Sequence, residues 1–397
     1  MRIAFLTSRL PYPPIGGDRL RAFHILRHLQ RSHEVTLYAL GSALGKDQTS
    51  TPPEFVGLKQ RLFRLSPLRY GWNALRGLVS DLPLQVKLYE TAELRHALTA
   101  DLNRGDFDLL FVHLVRMAEY ARPFSHLPRI LDMTDSIHLN YSRMPNLIVS
   151  PLGLAARVER RRLARYEALM PSWFDKVLLT SPVDLEWVRQ RSGRANFLQV
   201  PQGIDLEKFP YPAARPVGNR IVFFGKLDTL PNSDAARYFA REVFPLVRKS
   251  IPEAEFHVVG WGPPRAVRNL ARLPGVIVRA NVPEVQPLVA QCALSVAPMR
   301  FGAGIQTKIV ESLALGVPVV ASPEAALPYG MGDHSPILVA RTTEAFAEAV
   351  IRVLQDGQYR ERLARAGRSL AESKYSWDRV LAPLDEVLEE LQGPRTP

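Results

Sequence analysis

The sequence predicts an α/β protein of two domains, each built on a largely parallel sheet. Three observations carry this prediction. The chain has 397 residues, 46% of them hydrophobic and 23% charged, an ordinary globular composition. Its length also exceeds the roughly 250–300 residues beyond which a single core stops growing. Short β-type runs alternate with longer amphipathic stretches, as strand–helix–strand units do. These runs form two sets, with the seam near Pro201-Gln202-Gly203 and the polar, proline-rich stretch Pro210–Pro216 just after it.

In the first set the strand candidates are Ile3–Leu6, Glu34–Leu40, Asp108–His113, Arg129–Met133 and Lys176–Thr180, with helical patterns at Arg19–Gln30 and Leu154–Leu169. In the second they are Ile221–Phe224, Glu255–Val259, Val276–Arg279, Leu294–Ala297 and Val317–Ala321. The boundaries follow: residues 1–200 form one domain and 201–376 the other. A closing helical segment, Trp377–Leu391 within 377–397, is expected to return to the first.

Composition narrows the function classes. Cys292 is the single cysteine, so neither an intramolecular disulfide nor a cysteine zinc cluster can form, and a reducing, cytoplasmic setting fits. Its apolar neighbours, Ala290 to Leu294, read as a buried small residue rather than a nucleophile. The run after Met1 is too short for a signal segment, and no apolar stretch of about 18 residues occurs, so attachment to a membrane is expected only at its surface. The formal net charge of +12 points to an anionic partner. No helix-turn-helix or RNA-binding signature accompanies it, so nucleic acid is not expected. The basic, aromatic-bearing stretch from Lys59 to Trp72 reads either as a face resting on an anionic bilayer or as a solvated helix.

The strongest chemical signal is the stretch from Ala297 to Leu313. A buried strand ends at Pro298, a loop carrying Gly302 and Gly304 follows, and a helix runs to a stop at Gly316. A glycine loop leading into a helix start offers unpaired N–H groups and a positive dipole end to a phosphate. Arg300, Ile305, Gln306 and Thr307 lie along it, and Lys308 adds a cation where the dipole favours acids, which suggests an anion nearby. Lys308 and Glu311, three apart, share a helix face, where a carboxylate can accept two ribose hydroxyls. Spacing alone leaves a surface ion pair equally open. Two further loops sit where ligands of open α/β sheets bind. Gly16 and Gly17 permit close approach before a helix for which Asp18 is the expected cap, and Lys226 follows the first strand of the second set, able to neutralise a diphosphate.

Taken in order, these segments resemble the retaining GT-B glycosyltransferases of the group 1, family 4 class, over nearly the whole chain. Gly16-Gly17 is similar to that family's N-lobe glycine loop, and Gly203-Ile204-Asp205 with Phe209 to its turn entering the second lobe. Gly225-Lys226-Leu227 resembles its G-R-L motif, and Val258 to Pro263 its strand-end V-G-x-G-P. The run from Glu311 to Ser322 resembles its E-A-M-A-x-G-x-P-V-V-A-S signature. A closer resemblance is to sugar transferases of bacterial exopolysaccharide and exosortase loci, through Arg9 to Leu29 and Gly304 to Glu311.

The resemblance implies a GT-B fold, two Rossmann-like lobes with a cleft between them, and transfer from a nucleotide-sugar donor with retention. A glycan or lipid-linked acceptor is implied, with no cofactor and no metal. The expected setting is cytoplasmic, either soluble or peripheral at the inner face of the plasma membrane. Glu311 would hold the ribose, Lys226 and Lys308 the departing diphosphate, and His113 either a donor-sugar hydroxyl or the acceptor, with a satisfied structural histidine as the other reading. Asp132 and Asp135 are candidates for acceptor contact or base work, Asp135 equally for a helix cap. Three departures stand out. Ala303 replaces a glutamate that contacts the transferred sugar in the family, so sugar selection must differ, with Arg300 or backbone groups as candidates. Lys226 replaces an arginine. The second basic residue expected after it is missing, since Leu230-Pro231-Asn232 occupies that region, and Lys308 could restore the charge. A sugar-nucleotide epimerase of the same fold, or a non-catalytic sugar-nucleotide-binding partner, stands as the alternative.

Overall fold

A computed structural model describes residues 1–41, 52–143, 151–212, 218–301, 305–329 and 335–392. The chain divides into two compact units, Met1–Pro201 with the segment from Leu381, and Gln202–Val380.

The first unit is built on a seven-stranded sheet of order β3-β2-β1-β4-β5-β6-β7. Its strands are β1 (Arg2–Thr7), β2 (Glu34–Gly41), β3 (Lys59–Arg64), β4 (Leu109–His113), β5 (Arg129–Thr134), β6 (Lys176–Leu179) and β7 (Phe197–Gln199), all paired in parallel. β1 and β4 are buried along nearly their whole length, as strands covered on both faces must be, which is why they read as continuous apolar runs. Helix α1 (Gly17–Leu29) follows β1. The end of the helix Trp377–Gln392 belongs to this unit: Leu384, Val387 and Leu388 are buried, and Asp385 and Glu390 bind His28 and Lys176 at 2.8 and 2.9 Å.

The second unit carries a six-stranded sheet of order β10-β9-β8-β11-β12-β13. Its strands, again all parallel, are β8 (Arg220–Lys226), β9 (Glu255–Trp261), β10 (Val276–Ala280), β11 (Leu294–Ala297), β12 (Val319–Ala321) and β13 (Ile337–Val339). Phe239, Phe244, Phe256 and Phe346 pack together in its core.

Both sheets reverse their strand order once, between β1 and β4 and between β8 and β11, and the crevice beyond the strand ends at such a point is where open α/β sheets bind ligands. Of the glycine segments singled out in the sequence, two follow β1 and β11, while Gly225-Lys226 forms the last two residues of β8 itself.

Three strands have no counterpart in the sequence reading: β3, β7 and β13. β3 is an edge strand, mostly exposed and basic on both faces, so it offers no apolar alternation. Its lysine and arginines guard the open edge. The helix inferred near Lys59–Trp72 accordingly begins later, as α2 (Pro67–Leu78). α1 is capped by Gly16, at φ +93°, and not by Asp18, which sits in the first turn and accepts from Arg9 at 3.3 Å. Among the described residues no helix is long and apolar enough to cross a membrane.

Candidate active site

In the second unit the site is set by two glycines facing each other across strands β8 and β9. Gly225 and Gly260 are in register, with φ of +144° and +150°. A Cβ on Gly260 would lie 1.8 Å from the Gly225 carbonyl oxygen, so only glycine permits this approach. A Cβ on Gly225 would meet Lys308 Cε at 3.5 Å and Asn232 Nδ2 at 3.4 Å. The bare strand end is the floor on which the Lys308 side chain lies.

Lys308 is the second residue of the helix Thr307–Ala314, and it is buried. Its ammonium donates to Asn232 Oδ1 at 2.6 Å and Gln306 Oε1 at 3.2 Å, lies 3.8 Å from Met299 Sδ, and sits 4.9 Å from the Phe223 ring centre. Asn232 is fixed in turn by donating to the Lys226 carbonyl at 2.9 Å. Among the described residues, every direct partner of this buried cation is neutral. Burial pushes its pKa down to about 8, with the Glu311 charge pulling the other way. Glu311, one turn on and half-buried, is pushed by burial up to about 7, against the pull of Lys308 and the Thr307 hydroxyl.

Hydrogen bonds to neighbouring loops hold the helix start and, separately, the chain just past β11. Tyr329 donates its hydroxyl to the Gln306 carbonyl at 2.7 Å, and Ser322 donates to the Met299 carbonyl at 2.5 Å. No acid occupies the first helical turn, and among the described residues no side chain caps it. The site thus presents a buried ammonium, a half-buried carboxylate and an uncapped helix start, which together suit an anion carrying hydroxyls.

The other residues expected here are placed differently. Lys226 is exposed and lies 3.7 Å from the Asp228 carboxylate. Arg300 makes a two-pronged pair with Asp234 at 2.8 and 2.5 Å and stacks over Tyr238. Ile305, Gln306 and Thr307 are half-buried at the helix start. Gly302, Ala303 and Gly304 lie outside the described residues. Sequence reasoning misses Asn232 as the partner of Lys308. Its only signal is that it occupies the stretch where a second cation is expected.

In the first unit the ends of β4 and β5 hold a buried ionic cluster. Arg21 of α1 is fully buried. Its Nε donates to both Asp132 oxygens, at 3.0 and 2.9 Å, and its Nη1 to the Pro201 carbonyl at 3.1 Å. His113 lies 2.8 Å from Asp132 through Nδ1 and 3.1 Å from the Asp18 carbonyl through Nε2. Both ring nitrogens face acceptors, so both bonds form together only when each nitrogen carries a proton. Burial alone would raise the Asp132 pKa, but Arg21 and His113 outweigh it and hold the carboxyl at about 2. Such a carboxylate, fully enclosed, cannot serve as a base, which corrects that expectation for Asp132. His113 is likewise committed to the protein, tying Asp132 to the start of α1 beside Gly16 and Gly17. Asp135 does not cap the following helix. It accepts from Thr180 Oγ1 at 2.6 Å, while Ser136 Oγ accepts from the Leu139 N–H. Leu114 and Thr134, just past His113 and Met133, have φ of +74° and +67°. Two non-glycine residues held there mark a tightly constrained sheet end.

Comparison with known proteins fits this geometry. Residues 218–356 match the family model for glycosyl transferases group 1. A GDP-mannose-dependent alpha-(1-6)-phosphatidylinositol monomannoside mannosyltransferase of Mycobacterium tuberculosis is 27% identical over 217 residues, 49% of this chain and 56% of that protein. The match therefore spans little more than half that relative's length. Among solved structures, sucrose-phosphate synthase from Thermosynechococcus elongatus superposes with a TM-score of 0.74 at 16% identity, covering 99% of each chain. HepE of Anabaena, solved with UDP and glucose, gives 0.68 at 14% identity over 98% of this chain and 100% of its own. WaaG, described as a glycosyltransferase involved in lipopolysaccharide biosynthesis, gives 0.65 at 15% identity over 99% and 100%. The chain has the GT-B fold, and its residues 218–356 match the model of the group 1 glycosyl transferases.

Proposed function

We propose that this GT-B chain is a glycosyltransferase that moves a sugar from a nucleoside-diphosphate donor to a glycan or lipid-linked acceptor, with retention and without a metal. The observation that carries this is the Lys308–Glu311 pair at the helix start of the group 1 domain. A buried ammonium held by neutral groups is costly in the free protein, and a diphosphate supplies the charge it lacks. Glu311, ionised, accepts the ribose hydroxyls, and the first-turn N–H groups meet the phosphate oxygens.

The donor's bond to its sugar breaks as negative charge builds on the leaving diphosphate. Lys308 and the helix start are already in place to hold that charge, and preorganised stabilisation of this kind lowers the barrier. That the Lys308 ammonium rests on Asn232, in the stretch where the family's second cation is expected, supports its restoring that charge. Lys226, exposed beside Asp228 at the end of the neighbouring strand, is a second cation for the same charge. Arg300, the candidate for sugar selection, would have to leave Asp234 to reach a sugar. An exopolysaccharide-type acceptor and a cytoplasmic site of action follow from the sequence resemblance.

Thermal-shift screening against a panel of nucleotide sugars, followed by product analysis, tests the reading. One donor should raise the melting temperature, and transfer should keep its anomeric configuration in excess chelator. Complete loss of activity in chelator, or conversion of the donor sugar with no acceptor present, would overturn it.

A further inference from the structure

Helix α2 in the first unit is mounted inside out. Its inward residues are the polar Asn73 and the side-chain-free Gly77, both buried. Asn73 donates to the Glu90 carbonyl at 2.8 Å, and a Cβ on Gly77 would lie 2.6 Å from Leu84 Cδ1 of α3 (Leu84–Leu88). Its large apolar residues face solvent: Leu68 is 88% exposed, Trp72 60%, Leu75 60%, and Val79, just past the last turn, 89%. At 3.6 residues per turn these four fall within an arc of about 60°. A contiguous apolar stripe of this kind on a folded surface marks an interaction site.

The charge around the stripe says what meets it. From Val56 to Ser80 the chain carries Lys59, Arg61, Arg64, Arg69 and Arg76 and no aspartate or glutamate. Lys59 pairs with Glu34 and Arg61 with Asp101. Arg64, Arg69 and Arg76 are exposed and have no ion-pair partner among the described residues, though Glu90 lies near enough to Arg76 to feel its charge. Arg69 and Arg76 both fall about 40–60° beyond the Trp72 side of the stripe. The helix is held at both ends, by Ser66 accepting from the Arg69 N–H and by Arg162 donating to the Gly77 and Leu78 carbonyls at 2.9 Å. The stripe is therefore presented on a preformed helix. A symmetric dimer through this face would set like charges against one another, whereas anionic lipid headgroups neutralise the arginines as the leucines and Trp72 enter the interface.

We infer that α2 docks this protein on an anionic lipid bilayer, lying in the plane of the interface with Leu68, Trp72, Leu75 and Val79 inserted and Arg64, Arg69 and Arg76 on the headgroups. Docking here does not depend on the chemistry at Lys308. The test is co-sedimentation of the full chain with vesicles of equal parts phosphatidylcholine and phosphatidylglycerol, against pure phosphatidylcholine, at low and high salt. Binding is expected to the mixed vesicles alone and to weaken with salt. The double variant Arg69→Gln/Arg76→Gln should bind roughly 25-fold more weakly, about fivefold for each arginine. Leu68→Ser/Trp72→Ser should lose binding, and both variants should keep the parent melting temperature, because the altered side chains are exposed. Equal partition onto both vesicle types, no binding to either, or unchanged binding by the variants would overturn the inference. So would a dimer in light scattering that Leu68→Ser/Trp72→Ser dissolves while vesicle binding persists.

Discussion

Replacing Lys308 with methionine should make the free protein more stable and its donor affinity lower. In the folded chain the ammonium is pushed from an ordinary 10.5 to about 8 by burial. At pH 7 the charge is retained, so this shift corresponds to about 3 kcal/mol of destabilisation relative to the unfolded chain. Methionine fills nearly the same volume over Phe223 and removes that cost. It forfeits the hydrogen bonds to Asn232 and Gln306, about 1 kcal/mol each, because both residues are half-buried and water can take the place of the ammonium at their oxygens. The net is a gain of about 1–2 kcal/mol, or roughly 2–8 °C in the melting temperature of a unit this size. The sign has a pH signature: the burial cost is full below pH 8, shrinks as the folded chain deprotonates between 8 and 10.5, and is gone above, where only the forfeited hydrogen bonds remain and the variant is the less stable. Nucleotide-sugar affinity should fall by about 1.5–3 kcal/mol, roughly 10- to 150-fold, the worth of a hydrogen bond to a charged group. Differential scanning fluorimetry across pH, with and without donor, reads both quantities. A variant that melts lower than the parent while binding donor equally well would refute the reasoning, because Lys308 would then be a structural residue whose partners repay its burial.

Other outcomes follow from the same geometry. Donor affinity should peak between about pH 7 and 8, falling on the acid side as Glu311 is protonated and on the alkaline side as Lys308 loses its proton, and Glu311→Gln should abolish the acid limb in titration calorimetry. Asp132→Asn should cost about 3–5 kcal/mol in a denaturant melt, because Arg21 is left buried without its counter-charge. The parent should lose about 2 kcal/mol of that support as the pH falls from 4 toward 2, the interval between the unfolded and folded pKa values of this carboxyl. Gly260→Ala should destabilise by about 4 kcal/mol or more, since the added methyl overlaps the Gly225 carbonyl, and an unchanged denaturation midpoint would show that the strands can part.

The central strands and their order of appearance were legible because they are buried on both faces and read as apolar runs. The helix end at Gly316 was legible too, since its φ of +66° is one that glycine adopts freely. The edge strands were not. β3 carries basic residues on both faces with Leu62 and Phe63 adjacent, and β7 and β13 are three residues long, so none carries a period from which a strand could be read.

The sequence by itself determined the local pattern of the candidate site. A glycine loop before a helix start, a cation in its first turn and a carboxylate three residues on are local features, fixed by neighbours in the chain. Tertiary structure decided which charges are buried and what they face, because burial and pairing join residues far apart in sequence. Lys308 meets Asn232, Arg21 and His113 meet Asp132, and Arg300 turns to Asp234. It also decided that α2 turns Asn73 and Gly77 inward and its leucines outward, which no helical period can reveal, since a period gives two faces without saying which one the core takes.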